Sequence, residues 1–207
     1  MLQNRVDPFG NIIRTSARGT FTGTRGVIHN DHQEIVRPFK HKAWITCLLQ
    51  FKGRRRVVMT PNRYTELFFL DEATSFAAGH RPCAECRREN FNRFKAYWIA
   101  GNPEYGFDHK TLIGRIDEIL QRERITSDKS KVIHEDKWSN LPDGTFVSRD
   151  DKPFVIFKSG LYLWTPFGYD DVHPKPTSGK VTVLTPKSIV NTVRAGYHPE
   201  VSIHLHK

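Results

Sequence analysis

Cysteine is scarce in this chain: three residues, an odd number, in 207. So low a count excludes the paired-disulfide scaffolds of small secreted proteins and points to reduced thiols in a cytoplasmic setting. Long apolar runs are missing as well. No stretch approaches the roughly 18 apolar residues of a membrane-spanning helix. The opening MLQNRVDPFGNIIRTSARG has no apolar segment of the signal-peptide kind. There is no internal repeat and no low-complexity tract, and the Gly/Thr/Arg segment 17–26 lacks the pattern of a nucleotide-phosphate loop.

What is present is a soluble composition, 38% hydrophobic and 26% charged, with a net charge of +10. The excess is one-sided. Residues 1–100 hold 17 Lys and Arg against 8 Asp and Glu, whereas residues 101–207 hold 15 against 14. A basic face attracts polyanions because each cation that neutralises a phosphate releases condensed counterions. DNA is therefore the expected partner, with Arg18 and Arg25 of the Gly/Thr/Arg segment and Arg54, Arg55 and Arg56 as a phosphate-facing edge. A generally basic, solvated surface is the ordinary alternative.

The chain reads as α+β. Residues 1–40 suggest loops around short strands. AWITCLLQF and RRRVVMT flank Lys52-Gly53 like a hairpin, TELFF is a strand, and DEATSFAAG is a short helix closed by Gly79. A longer helix is expected over residues 83–100, with Phe91, Phe94 and Trp98 on one face. HKTLIGRIDEILQRERI predicts another, with Leu112, Ile116, Ile119 and Leu120 inward. Beyond Trp138, short strands (GTFV, PFVIFK, LYLWT, KVTVLT), a helix PKSIVNTVRAGY and a last strand VSIHLH follow. The expected organisation is a small zinc-stabilised basic α/β module over residues 1–135 and a β-rich α+β module over residues 136–207.

The chemistry concentrates in residues 67–88, LFFLDEATSFAAGHRPCAECRR. Cys83 and Cys86 are spaced C-x2-C, which puts two sulfurs on one side of a tight turn, the bite that tetrahedral Zn2+ requires. Cys47 is the remaining cysteine and the expected third ligand, although its alternation with Ile45 and Leu49 also fits a small buried residue of a strand. His80 completes H-x2-C-x2-C as the fourth ligand, with His41 and His134 as alternatives. Zn2+ in a structural role is the expected cofactor.

This stretch resembles the second half of the metal-binding domain of the Ada family of DNA-alkylation-repair regulators, in which a strand and a short helix lead through A-A-G-aromatic-R-P-C-x-x-C into basic residues. The resemblance covers about 22 residues. It implies that Cys83 and Cys86 are zinc thiolates and that Arg81, Arg87 and Arg88 lie near DNA phosphates. The preceding C-x3-C pair, which in that family includes the methyl-accepting cysteine, is not present between residues 48 and 82. The chain-long arrangement, from VDPFG through RYTELFFLDEAT to LWTPFGY and VLTP, also resembles a bacterial protein family, a likeness that brings no activity with it.

Other chemistries have partial signatures. P-C-x-x-C is half of the zinc deaminase signature and His32-Gln33-Glu34 supplies an H-x-E, but Arg37-Pro38 follows too soon for the helix that signature needs. Asp108-His109 could orient a general base, while Asp108 alone reads as a helix cap. His134-Glu135-Asp136 could activate water, or form a solvated loop. Trp164, Phe167 and Tyr169 in LWTPFGY could stack a base or belong to the core. Together these features predict a cytoplasmic, zinc-stabilised DNA-binding protein that hydrolyses DNA, by base excision or backbone cleavage, in repair or in defence against modified or foreign DNA. His134, Glu135, Asp136 and His109 are its candidate catalytic groups. The alternative is a non-catalytic zinc module that binds DNA or RNA as a regulator.

Overall fold

The structure is a computed structural model that describes residues 1–54 and 57–203. In chain order its first half holds β1 (Gln3–Val6), β2 (Ile12–Arg14), β3 (Phe21–Thr24), β4 (Ile45–Leu48), β5 (Leu67–Phe69), α1 (Glu72–Ala77) and the two-residue β6 (Arg81–Pro82). Helices α2 (Arg88–Gly101) and α3 (Ile113–Arg124) follow. Next come β7 (His134–Lys137), β8 (Phe146–Arg149), β9 (Lys152–Phe157), β10 (Gly160–Thr165), β11 (Gly168–Pro174) and β12 (Lys180–Val183), and α4 (Lys187–Arg194) closes the series. The α+β class expected from the sequence is the one observed. Among the described residues no helix is long and apolar enough to cross a membrane.

Two six-stranded sheets organise these elements. The first is mixed, in the order β2-β1-β5-β3-β4-β6, and the second is antiparallel throughout, in the order β11-β10-β9-β8-β12-β7. The second sheet is covered on both faces. Strand alternation sends Phe154 and Ile156 toward Trp138 and Val190, and sends Val155 the other way, toward Leu70 and Ala73. That second cluster draws residues from both halves of the sequence.

Helix α1 is the hub. All six of its residues are buried, and its neighbourhood feeds three cores. Ala73 and Ala77 pack on the second sheet, Phe76 packs among Phe94, Trp98 and Tyr197, and Ala78 joins Phe21 and Phe69. The alanines at 73, 77 and 78 let neighbouring layers approach this short helix closely, while Phe76 fills the third core. Asp71 caps it, accepting from the Thr74 amide at 2.8 Å. Gly79 ends it at φ +83°, where a Cβ would fall 2.6 Å from Arg124 Cδ, so both the backbone and the space call for glycine.

Four local expectations need correction. Residues 57–60 hold a turn at 58–59 and no second strand of a hairpin, and β4 pairs with β3 instead. Helix α2 begins at Arg88, because residues 83–87 are used by the turn that carries the two cysteines. Leu112 is 78% exposed, one residue ahead of α3 and off its inward stripe. Residues 201–203 form no strand, and His204, Leu205 and His206 lie outside the described residues.

Candidate metal centre

Three sulfurs 36 and 39 residues apart in sequence meet because of one strand pairing. Strand β4 runs parallel to β6, with Ile45 opposite Arg81 and Thr46 opposite Pro82. The Cys83 amide then donates to the Thr46 carbonyl at 2.9 Å, which sets Cys47 at the end of one strand beside Cys83 at the end of the other. The turn after Cys83 brings back Cys86. The three Sγ atoms all lie within 4.8 Å of one another. Thiolates bound tetrahedrally at about 2.3 Å from Zn2+ sit roughly 3.8 Å apart, so the cluster closes on a metal with only small side-chain adjustments. The three cysteines can hold a metal ion, and their soft sulfur donors suit zinc.

The protons of the cluster are already unevenly shared. The Cys47 thiol donates to Cys83, and the amides of Cys86 and Glu85 also point at that sulfur; together these hold Cys83 at about 5 despite its burial. The same hydrogen bond, with burial, pushes the Cys47 thiol far up. Burial raises Cys86 as well, against a lowering hydrogen bond from the Leu48 amide. One thiolate stabilised by N–H donors, next to two thiols whose protons a metal would displace, is the arrangement from which metal uptake releases protons.

The thiols open onto a cavity of about 440 Å3. Its walls are mainly apolar, with Ile45, Leu48, Leu49, Phe51, Val58 and Phe68 beside Thr22 and Tyr64, while His41, Arg54, Glu66 and Glu85 supply its polar points. Leu48, Leu49 and Tyr64 are exposed hydrophobics on this lining, and Val57 continues the patch beside Tyr64. Grouped exposure of this kind marks a binding surface more often than a bare fold does. Most of these residues carried no signal in the sequence, since a strand that lines a cavity alternates like a strand that faces solvent. His41, an alternative fourth ligand in the sequence, lines this cavity but stands outside the thiol group.

His80 does not join the thiols. Its ring is fully buried between Phe69 and Trp44, at 4.7 and 5.2 Å between centroids, and its Nε2 accepts from Arg25 Nε at 3.3 Å. Because Arg25 can only donate there, the His80 proton sits on Nδ1. The reason is local: the left-handed turn at Gly79 sends His80 inward while the chain continues to Cys83. Burial first, and then the charges of Arg25 and Arg124, depress the His80 pKa well below its ordinary value. An unfolded chain protonates this histidine as pH falls through about 6.5, whereas the folded protein keeps it neutral, so stability is full above that pH and declines below it. The unfolding free energy from urea titrations is expected to fall on acidification, by roughly 1 kcal/mol per pH unit below about 6 for a single such group. His80→Gln should flatten that decline, leaving the part due to half-buried His134, whose pKa burial also lowers. An equal acid slope in the variant would remove His80 from this role.

The predicted phosphate contacts divide sharply. Arg25, Arg81 and Arg87 are buried and serve the core. Arg81 makes a two-pronged pair with Asp117, both bonds 2.7 Å. Arg87 pairs with Glu72 at 2.5 Å and lies over Phe21. Arg25 and Arg124 each set a guanidinium 4.0 Å from the centre of the Trp44 ring. Arg18, Arg54 and Arg88 are exposed, Arg54 in a 2.6 Å pair with Glu85. Arg55 and Arg56 lie outside the described residues.

The candidate acid–base groups lie away from the thiols. His134, Glu135 and Asp136 form β7 at an edge of the second sheet, where alternation puts Glu135 on the face opposite His134 and Asp136. Asp136 accepts from Asn140 and from the Lys137 amide. His109 is exposed on the loop before α3, and Asp108 caps its own turn through Lys110 and Thr111 rather than the helix. Of the aromatics in LWTPFGY, Trp164 and Tyr169 are core, and Phe167 is exposed. No family model matches this chain, and no curated protein or solved structure is similar to it, so the chemistry of the thiol cluster itself carries the functional reading.

Proposed function

We propose that this protein is a zinc protein that binds DNA across the face surrounding the cavity mouth, with Cys47, Cys83 and Cys86 holding the metal at the cavity floor. The observation that carries the reading is the placement of the thiols: they line an apolar cavity whose surroundings carry exposed cations. Lys40 and Lys42 flank His41, and Arg63 precedes Tyr64. The Ada-like segment supports the same reading, since it supplies two of the three cysteines of the cluster. With Arg25, Arg81 and Arg87 committed to the core, the phosphate-facing role passes to these side chains and to Arg18, Arg54 and Arg88. Binding is favoured over hydrolysis because the acid–base candidates stand on β7 and before α3 rather than around the metal.

The test is salt-dependent binding to a labelled DNA, followed by anisotropy. Each phosphate contact contributes about 0.9 to the slope of log K against log salt. Lys40→Ala, Lys42→Ala and Arg63→Ala together are expected to reduce the slope by about 2.7 and weaken binding at least tenfold at low salt. Binding and slope unchanged in the triple variant would refute this face. Strand breaks or abasic sites formed by the wild-type protein would restore the hydrolytic reading.

A further inference from the structure

The cavity and the thiol cluster share a wall, and that juxtaposition defines what the metal does. We infer that a metal held by Cys47, Cys83 and Cys86 keeps its fourth coordination position turned to the cavity and takes there the neutral ring nitrogen of a heteroaromatic ligand whose body fills the apolar space. The inference rests on the metal reading of the cluster and deepens it.

Three observations support it. First, the thiol group is complete at three: among the described residues, no histidine, carboxylate or further thiol joins the sulfurs within 4.8 Å. The carboxylates that line the cavity are engaged elsewhere, and the exposed His41 stands outside the thiol group. His41 stands edge-on to Tyr64, Glu66 accepts from the Met59 amide at 2.8 Å, and Glu85 pairs with Arg54. A zinc ion with three protein ligands and a fourth position open to a ligand is the pattern of a reactive site rather than of a closed structural one.

Second, the size fits. At about 440 Å3 the space falls within the range of small-molecule sites. Phe51, Tyr64 and Phe68 give it aromatic walls, which favour a flat ring.

Third, charge selects the donor. Zn2+ with three thiolates carries a net charge of about −1. Hydroxide or another thiolate would bring a second uncompensated negative charge into an apolar enclosure, at a steep desolvation cost. A neutral aromatic nitrogen adds none. Water is neutral too, and it is the aromatic lining of Phe51, Tyr64 and Phe68 that favours a nitrogen heteroaromatic over it, a class that includes a nucleobase turned out of its stack. This also accounts for exposed Leu48, Leu49 and Tyr64 at a surface flanked by cations.

Cobalt(II) in place of zinc makes both levels of the argument visible in the full-length chain. Stoichiometric cobalt with thiolate-to-metal charge-transfer absorption reports the three-sulfur site. Protein that takes up no cobalt would overturn the metal reading itself. With cobalt bound, 1-methylimidazole and then benzimidazole are titrated while the visible ligand-field bands are followed. Saturable shifts are expected, with the bicyclic ring binding more tightly. Ala43→Trp and, separately, Leu49→Trp place an indole in the cavity mouth from exposed positions. Each should weaken the titration about tenfold, the factor that roughly 1.4 kcal/mol produces. Cobalt bands unmoved by either azole would overturn the inference while leaving the metal site standing. So would a shift produced only by a simple thiol, or a His41→Ala change that alters the azole-free spectrum.

Discussion

Cys83→Ser is expected to strip the protein of its metal. Cys83 is the sulfur toward which the other groups are organised: the Cys47 thiol and the Glu85 and Cys86 amides all donate to it, and it is held at about 5 as the standing thiolate of the cluster. A serine hydroxyl keeps the hydrogen bonds but does not ionise, and two thiols with a hydroxyl are a poor set for a soft divalent metal. Loss of one of three ligands is expected to lower affinity by on the order of 100-fold or more, beyond the 10–100-fold typical of outer-sphere partners. Metal analysis of purified protein should give close to one equivalent for the wild type and a small fraction of that for the variant. Folding should report the same change. At a metal concentration about 100 times Kd the ion contributes roughly 2.7 kcal/mol of stability, so chelation should lower the urea midpoint of the wild type and leave that of Cys83→Ser unmoved. Full metal occupancy in the serine variant would end the assignment of the cluster.

The second large effect is structural and lies on α1. Glu72 is buried, and it ties the hub helix to two other segments. Its Oε1 accepts from Arg87 at 2.5 Å and from the Tyr197 hydroxyl at 2.8 Å, and its Oε2 accepts from the Glu200 amide at 3.1 Å. Asp71 beside it receives the Tyr169 hydroxyl and the Ser202 amide, so two adjacent carboxylates clamp the C-terminal segment onto the first half of the chain. Glu72→Gln keeps the volume and removes the charge, leaving the Arg87 guanidinium buried without its counter-ion. Breaking a buried pair from one side costs about 3–5 kcal/mol, which for a chain of this length is roughly 10 °C or more in Tm. The double variant Glu72→Leu with Arg87→Met should recover much of the loss, because apolar replacement of both partners removes the stranded charge. If the single change is no more harmful than the double one, the pair is not what holds this junction.

Much of the fold was legible because it is local. The strands of residues 146–165 announce themselves through β-branched and aromatic residues between turn signals, and α4 and most of α3 follow a helical stripe. Cys83 and Cys86 were readable as half a metal site from spacing alone, and Cys47 was a reasonable third ligand by elimination. His80 was misassigned because H-x2-C-x2-C spacing measures distance along the chain, while Gly79 turns the histidine away from the sulfurs. Leu112 was misassigned at a helix start, where a stripe has no preceding turn to set its phase.

The sequence by itself determined the α+β composition, the identity of the thiols and the excess of positive charge in the first 100 residues. Only the tertiary structure decided where that charge goes. An arginine in isolation belongs in water, and composition counts every one of them as surface. Arg81 and Arg87 are drawn inside because Asp117 and Glu72, 36 and 15 residues away, offer carboxylates at 2.7 and 2.5 Å, and Arg25 because Trp44 offers a ring face. The same holds for the metal centre. The parallel pairing of β4 with β6 sets Cys47 beside Cys83, and a contact between strands so far apart in sequence is a property of the packed sheet, which leaves no periodic trace in either strand.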